Sequence, residues 1–204
     1  SVSAFLLNRS SDLSFYFTRD AKGQMIHPHG WGDVLELIYQ NPELVNEVNS
    51  ALKFWIETCD VDGYRCDYVS SPTIPVSYWQ DIIAQLKSFV LGKKIEMMSE
   101  TDITDRHNQR IDSCGFDYDY AWNLQGSIAR LCRKGFKADT LKQICERFLE
   151  KSAKIKNRRM VYLTNHDQNY NDGGNTLKQF YGENRYGLNV LEFTFYGMPL
   201  IYNG

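Results

Sequence analysis

The chain has 204 residues, 43% of them hydrophobic and 14% aromatic, which is enough for one buried core, so a single globular unit is the expectation. Its 23 basic and 25 acidic residues give a formal net charge of −2, a balance that favours neither nucleic acid nor an anionic membrane as partner. No apolar run approaches the roughly 20 residues that a membrane-spanning helix needs.

The N-terminal part of the chain has the composition of a long loop. Glycine, proline and short polar residues interrupt any hydrophobic period there, for example at residues 27–30. Regular structure begins at the Asn-Pro pair of residues 41–42, which predicts a helix over 42–58 with apolar residues at helical spacing. The chain therefore divides into a loop excursion, residues 1–41, and a regular part, residues 42–204.

Beyond residue 60, short apolar runs alternate with longer amphipathic stretches. In chain order the pattern predicts a strand over 61–69, a helix over 75–91, strands over 94–99 and 115–118, helices over 122–132 and 139–155, a strand over 160–163, a helix over 186–196 and a strand over 198–202. Strands that alternate with helices of this length indicate a parallel sheet with helical crossovers. The predicted fold class is therefore α/β.

Acidic residues end three of these apolar runs. Asp67 and Glu100 are about one βα unit of ~30 residues apart, and Asp167 lies about two units further on. Sites in parallel barrels and open α/β sheets form at the carboxyl ends of the strands. Arg65 is two residues before Asp67 on a strand, so both side chains face the same way. We therefore expect the three acids, Arg65 and His166 on one rim.

This set of side chains suits cleavage of a glycosidic bond. A retaining glycosidase uses two carboxyl groups ~5–5.5 Å apart, one as nucleophile and one as proton donor. Arg65 would keep Asp67 ionised, and neighbouring acids would raise the pKa of Glu100. Taken singly, the motifs have plainer interpretations: an Arg-x-Asp ion pair, a solvated glutamate after a strand, and turn chemistry in Asn-His-Asp. Their joint position at successive strand ends favours catalysis.

At these residues the chain resembles the α-amylase family of glycoside hydrolases. Residues 61–67, Val-Asp-Gly-Tyr-Arg-Cys-Asp, resemble the family's nucleophile-strand motif, Gly-(Phe/Tyr)-Arg-x-Asp. Residues 98–100 are similar to its acid/base segment, and residues 163–167 resemble its Asn-His-Asp motif. Flanking segments agree with the resemblance, namely residues 31–44, 115–117 and 197–204.

The resemblance implies a role for each matching residue. Asp67 would be the nucleophile, Glu100 the acid/base and Asp167 the residue that stabilises the transition state. Arg65 would orient the nucleophile, and His166 would bind sugar hydroxyls. The implied reaction is retaining hydrolysis of α-1,4-linked glucans, starch or maltooligosaccharides, through a glycosyl-enzyme intermediate. A transglycosylase or isomerase on the same scaffold and a non-catalytic, degenerate barrel are the alternatives.

The implied fold is a partial (β/α)8 TIM barrel. The family's earlier Asp-x-x-x-Asn-His motif is absent, so residues 42–204 are expected to be the C-terminal five βα units, strands four to eight. Residues 1–41 would then be the excursion after the third strand. A part of a barrel exposes unpaired strand edges, so the expected partners besides an α-glucan are the missing N-terminal half or a second copy. The isolated piece is then expected to be inactive.

No cofactor is needed for this chemistry, and the sequence assigns no metal. His27, His29 and His107 have no partners at ligand spacing, and none of the five cysteines forms a CxxC pair. Structural calcium, which many family members bind, stays open but unassigned, although residues 102–105 and 169–175 are rich in oxygen ligands. For a polysaccharide-degrading parent an extracytoplasmic location is favoured over the cytoplasm, and the sequence leaves the compartment open.

Overall fold

The structure is a computed structural model that describes residues 14–102, 104, 113–152, 158–171 and 176–202. In chain order its helices and strands are α1 (Pro42–Cys59), β1 (Gly63–Cys66), α2 (Val76–Phe89), β2 (Glu96–Ser99), β3 (Tyr118–Tyr120), α3 (Trp122–Lys134), α4 (Ala138–Lys151), β4 (Arg159–Val161), α5 (His166–Asn171), α6 (Thr176–Tyr181), α7 (Arg185–Thr194) and β5 (Met198–Pro199). Within these ranges no helix has the length and apolar character that a membrane crossing requires.

The five strands form one parallel sheet in the order in which they follow along the chain. Each strand is hydrogen-bonded to the next, and in the described residues helices lie between β1 and β2, between β3 and β4, and between β4 and β5. A doubly wound open sheet would reverse its strand order at one point, whereas a (β/α)8 barrel keeps chain order throughout. The α/β class is thus confirmed, with the strand order of part of a barrel.

The two faces of the sheet are covered differently. On β2, Met97 packs against the apolar faces of α1 and α2, whereas Met98 lies on the opposite face with Tyr120 and Met160. This alternation follows from the period of two in a strand. The first face is the outer, helix-covered one. The second is the inner face, which in a closed barrel points to its axis, and its side chains are largely aromatic or methionine.

Residues 14–41 are more ordered than the loop that their composition predicts. Phe17 and Leu37 form an antiparallel bridge, and the backbone of Ile26 lies between those of Thr18 and Glu36, with hydrogen bonds to both. Phe17 and Leu37 are buried against α1. These segments are too short and too widely separated to produce a periodic pattern, so only the fold reveals their pairing.

Two stretches of the chain differ most from what the sequence predicts, while the strands predicted over 61–69 and 198–202 are shorter, at Gly63–Cys66 and Met198–Pro199. The strand predicted over 115–118 is found at Tyr118–Tyr120, because Gly115 has a left-handed φ of 93° and Phe116 is buried in the outer core. The polar stretch after β4 contains the short helices α5 and α6. In both places the local sequence is polar, and the observed structure depends on how the segment packs against the sheet.

Candidate active site

The structure brings all five predicted site residues to one edge of the sheet. Arg65 lies on β1 and Asp67 follows that strand directly, while Glu100 follows β2. His166 and Asp167 form the first turn of α5, a few residues beyond the end of β4. Because the strands are parallel, their carboxyl ends meet at this edge, which is where barrel enzymes place their chemistry.

Arg65 connects the two acids that follow β1 and β2. Its Nη1 is 3.4 Å from Oδ1 of Asp67, and its Nη2 donates to Oε1 of Glu100. Its Nε donates to the hydroxyl of Tyr120 over 3.3 Å, and the guanidinium lies 5.6 Å from the centroid of that ring. Arg65 is therefore fixed in place from β3 while it contacts both carboxyl groups.

Tyr120 was not among the predicted site residues. The strand predicted over 115–118 ends before Tyr120, which left this residue outside every predicted strand and helix. In the structure it is buried at the end of β3 and packs against Trp122 and Tyr162 on the inner face. The signal that could have found it is its place two residues beyond Tyr118, which is the next inward position on that strand.

Asp67 and Glu100 share a hydrogen bond, and their pKa values move in opposite directions. The hydrogen bond from Glu100 lowers the pKa of Asp67, helped by the charge of Arg65 and by the backbone N–H of Tyr68. Burial, together with the hydrogen bond to Asp67 and the charge of that residue, raises the pKa of Glu100 to about 9 against the opposing charge of Arg65. The side chains are 64% and 13% exposed respectively, so the deeper acid is the one that keeps its proton near neutral pH.

His166 and Asp167 complete the rim on the side of β4. Nε2 of His166 is 3.4 Å from Oδ1 of Asp167. Glu100, His166 and Asp167 each offer one ligand atom within 4.8 Å of the others, the one such group in the described residues that could hold a metal ion. That the site works without a metal stays a prediction. His107 and much of the oxygen-rich stretch at 169–175 lie outside the described residues.

This arrangement pairs an ionised carboxylate with a neighbouring protonated carboxyl group. Such a pair can attack a carbon atom with one oxygen while the other acid protonates the group that leaves. Arg65 contacts both acids, and the third acid, Asp167, lies with His166 close to Glu100. The geometry therefore suits a displacement at an acetal carbon, such as that of a glycoside.

Comparison with known sequences gives one family and a group of partial relatives. The profile described as "Alpha amylase, catalytic domain" matches residues 31–204. Over 98 residues, 47% of this chain, the sequence is 30% identical to glycogen debranching enzymes of Salmonella paratyphi A and Salmonella heidelberg. That stretch is 14% of the length of each of these relatives.

Comparison with solved structures finds the same architecture. A noncanonic maltogenic α-amylase from Thermotoga neapolitana matches 95% of this chain with a TM-score of 0.74 and 23% identity. An α-amylase from Lactobacillus plantarum matches 96% with a TM-score of 0.72 and 23% identity. The cyclic α-maltosyl-(1→6)-maltose hydrolase of Arthrobacter globiformis matches 98% at 0.71 and 17% identity. The chain spans 42%, 46% and 46% of these three proteins, which confirms a partial barrel.

Proposed function

The chain belongs to the α-amylase family of glycoside hydrolases, and we propose that it carries the site for retaining hydrolysis of α-1,4-linked glucans such as maltooligosaccharides. The observation that carries the proposal is the hydrogen bond between Asp67 and Glu100, with Arg65 contacting both and with their pKa values displaced in opposite directions. We assign Asp67 as nucleophile and Glu100 as acid/base.

The reaction proceeds in two displacements. Glu100 gives its proton to the glycosidic oxygen while Asp67 attacks the anomeric carbon, so the carbon–oxygen bond breaks and an ester to Asp67 forms. Glu100, now a carboxylate, takes a proton from water, whose oxygen attacks the same carbon and releases Asp67. Asp167 and His166 hold sugar hydroxyls, with contacts that strengthen as positive charge develops on the ring. No cofactor takes part in these steps.

The contact between the acids favours retention of configuration. An inverting glycosidase places its two carboxyl groups roughly 6.5–9.5 Å apart, because a water molecule must enter between one of them and the sugar. Asp67 and Glu100 are in hydrogen-bonding contact, which suits the direct attack of a retaining enzyme. The intact set of three acids also argues against a degenerate, non-catalytic barrel.

The chain spans less than half of the solved structures that it matches, so the rest of the barrel is part of the proposal. We propose that residues 1–41 are the excursion after the third strand and that residues 42–204 supply strands four to eight.

β1 and β5 each pair with one strand of the described sheet, and α7 exposes Tyr186, Val190 and Phe193 at helical spacing. The N-terminal strands would cover these edges, and without them the chain would self-associate. Light scattering that shows a clean monomer at micromolar concentration would contradict the self-association.

The catalytic assignment is tested with maltoheptaose and a 5-fluoro-α-glycosyl fluoride, in this chain and in the longer protein that contains it. Asp67→Asn and Glu100→Gln should each lower hydrolysis by at least about 10³-fold. Asp81→Asn, an exposed acid on α2, is the control. Mass spectrometry should find the fluorosugar on Asp67. A label on another residue, or full activity in the Asp67→Asn variant of the longer protein, would disprove the assignment.

Product analysis separates hydrolysis from its alternative. If a sugar rather than water takes the glycosyl unit, maltooligosaccharides longer than the substrate will accumulate, and the site is that of a transglycosylase.

The pH profile tests the role of Glu100 as the acid. As the pH rises through the pKa of Glu100, the carboxyl group loses the proton it must donate, so kcat/KM should fall on the alkaline side. An alkaline limb unchanged by Arg65→Met, which removes a cation that lowers this pKa, would contradict the role of Glu100.

A further inference from the structure

Three rings from two distant parts of the chain meet beside the nucleophile. We call His29, Trp31 and Tyr68 the rim cluster. The ring centroids of Trp31 are 5.2 Å from those of both His29 and Tyr68, and His29 and Tyr68 are 5.3 Å apart. The ring of His29 also makes a hydrogen bond to the hydroxyl of Tyr68. The cluster therefore links the segment 14–41 to the end of β1.

The backbone of the rim cluster is unusual. In the described residues, His29 (φ 54°), Asp60 (φ 53°) and Tyr68 (φ 48°) are the positions other than glycine in the left-handed region. Asp60 ends α1, where a left-handed residue is common. The remaining two contact each other. A bulky residue in this conformation is rare, and such positions concentrate at functional sites.

Tyr68 also connects the rim cluster to Asp67, the proposed nucleophile. It follows Asp67 in the chain, and its backbone N–H donates a hydrogen bond to the carboxylate of that residue. Its left-handed conformation thus serves two contacts, one to the nucleophile through the backbone and one to His29 through the side chain. The position of Trp31, which packs on both rings, is in this way fixed relative to Asp67.

Trp31 keeps 46% of its surface exposed although two rings hold it in place. A single exposed tryptophan needs no explanation, but an indole that is immobilised beside a nucleophile and still open to solvent offers a preformed apolar face. The C–H faces of pyranose rings pack on such surfaces, and ligand sites commonly combine aromatic walls with a few polar groups. Neither of the other two rings is stacked parallel to the indole, and nearly half of the surface of Trp31 stays open to solvent.

We propose that Trp31 is a stacking platform for a glucose unit next to the one that is cleaved, and that His29 and Tyr68 are positioning residues for it. The proposal rests on the proposed function for the identity of its ligand, an α-glucan. It makes the rim cluster a specificity determinant: longer chains gain affinity from the additional stacked unit, whereas a substrate too short to reach Trp31 does not.

The test measures binding in the Glu100→Gln variant, so that the sugar is not consumed during titration. Maltoheptaose and maltose are titrated calorimetrically into this variant and into its combinations with Trp31→Ala, Trp31→Phe and Trp55→Ala. Trp55 on α1 is the matched control, because it is 50% exposed and lies outside the rim cluster. Trp31→Ala should raise the Kd for maltoheptaose about tenfold, with a much smaller change for maltose. Trp31→Phe should restore most of the loss, and Trp55→Ala should have no effect.

One further variant separates positioning from contact. Tyr68→Phe keeps the ring and removes the hydrogen bond to His29, so it should weaken maltoheptaose binding by less than Trp31→Ala does. Circular dichroism confirms that each variant is folded. A Trp31→Ala variant that binds maltoheptaose as tightly as its parent overturns the proposal, and so does an equal loss for maltose. The catalytic assignment has its own readout, the fluorosugar label on Asp67. If maltoheptaose binding depends on Trp31 but no label forms on Asp67, the stacking role of Trp31 is supported and the nucleophile role of Asp67 is disproved.

Discussion

Replacement of Arg159 by methionine should destabilise the fold more than any other single change of a charged residue that we consider. Arg159 on β4 is fully buried, with Nη2 2.7 Å from Asp102 and Nε 2.6 Å from Asp119. Nη1 also donates to the hydroxyl of Ser152 over 3.0 Å. Asp102 in turn accepts the backbone N–H of Asn123 at the start of α3, over 2.8 Å. This buried group joins β3, β4 and the segment that follows β2 to the start of α3, and Asp102 lies two residues beyond Glu100.

The magnitude follows from the burial of both acids. Asp102 and Asp119 are each 3% exposed, so Arg159→Met removes the guanidinium from beside two carboxylates that stay in the interior. Removing one partner of a buried ion pair costs about 3–5 kcal/mol, a large part of the roughly 5–15 kcal/mol that stabilises a typical domain. For a chain of this length the expected fall in Tm is about 10 °C. The neighbouring Arg158 is exposed and donates to backbone carbonyls, among them that of Asp117, so Arg158→Met should cost about 1 kcal/mol or less.

Urea unfolding followed by circular dichroism and tryptophan fluorescence measures both variants under the same conditions. Neutralising the acids, in the triple variant Arg159→Met/Asp102→Asn/Asp119→Asn, should restore part of the lost stability, because the buried carboxylates that lost the guanidinium then carry no charge. If Arg159→Met is within about 1 kcal/mol of Arg158→Met, or if the triple variant is less stable than the single one, the account of this ion cluster is wrong.

Three further changes test other parts of the fold. Gly63→Ala should destabilise the fold by about 2–3 kcal/mol, because the new Cβ would lie 2.1 Å from the carbonyl oxygen of Glu96 on β2. Gly126→Ala in α3 has open space around the new Cβ and should stabilise the fold by up to about 1 kcal/mol. Equal effects of the two variants in urea unfolding would contradict this reasoning. Burial raises the pKa of Glu192 from 4.5 to about 7, so between these pH values the native state holds a proton that the unfolded state has released. The free energy of unfolding should therefore fall by up to about 3 kcal/mol as the pH rises from 4.5 to 7. Glu192→Gln should remove this fall, and a pH profile that the variant leaves unchanged would contradict the prediction. Asp20→Ala should cost about 1 kcal/mol, because the carboxylate accepts two backbone N–H groups in its turn, and increased proteolysis near residue 20 is the second readout.

Much of the fold was predictable from local patterns. The helices expected over 42–58 and 75–91 are found at Pro42–Cys59 and Val76–Phe89, because apolar residues at helical spacing report directly which face is buried. The spacing of Asp67, Glu100 and Asp167 likewise indicated strand ends one and then two βα units apart, since such a unit takes roughly 30 residues or more. Family membership followed from the same short motifs and is confirmed by the profile match.

The tertiary structure alone decided how these residues act on each other. The bond between Arg65 and Tyr120 joins residues 55 positions apart, and it depends on the register of β1, β2 and β3, which no local period encodes. The raised pKa of Glu100 depends on burial by neighbours from several elements. The contact of Trp31 with Tyr68 likewise depends on how residues 14–41 fold back over β1. Periodicity is a property of a few adjacent residues, whereas electrostatics and packing depend on atoms that only the folded chain brings within a few ångströms.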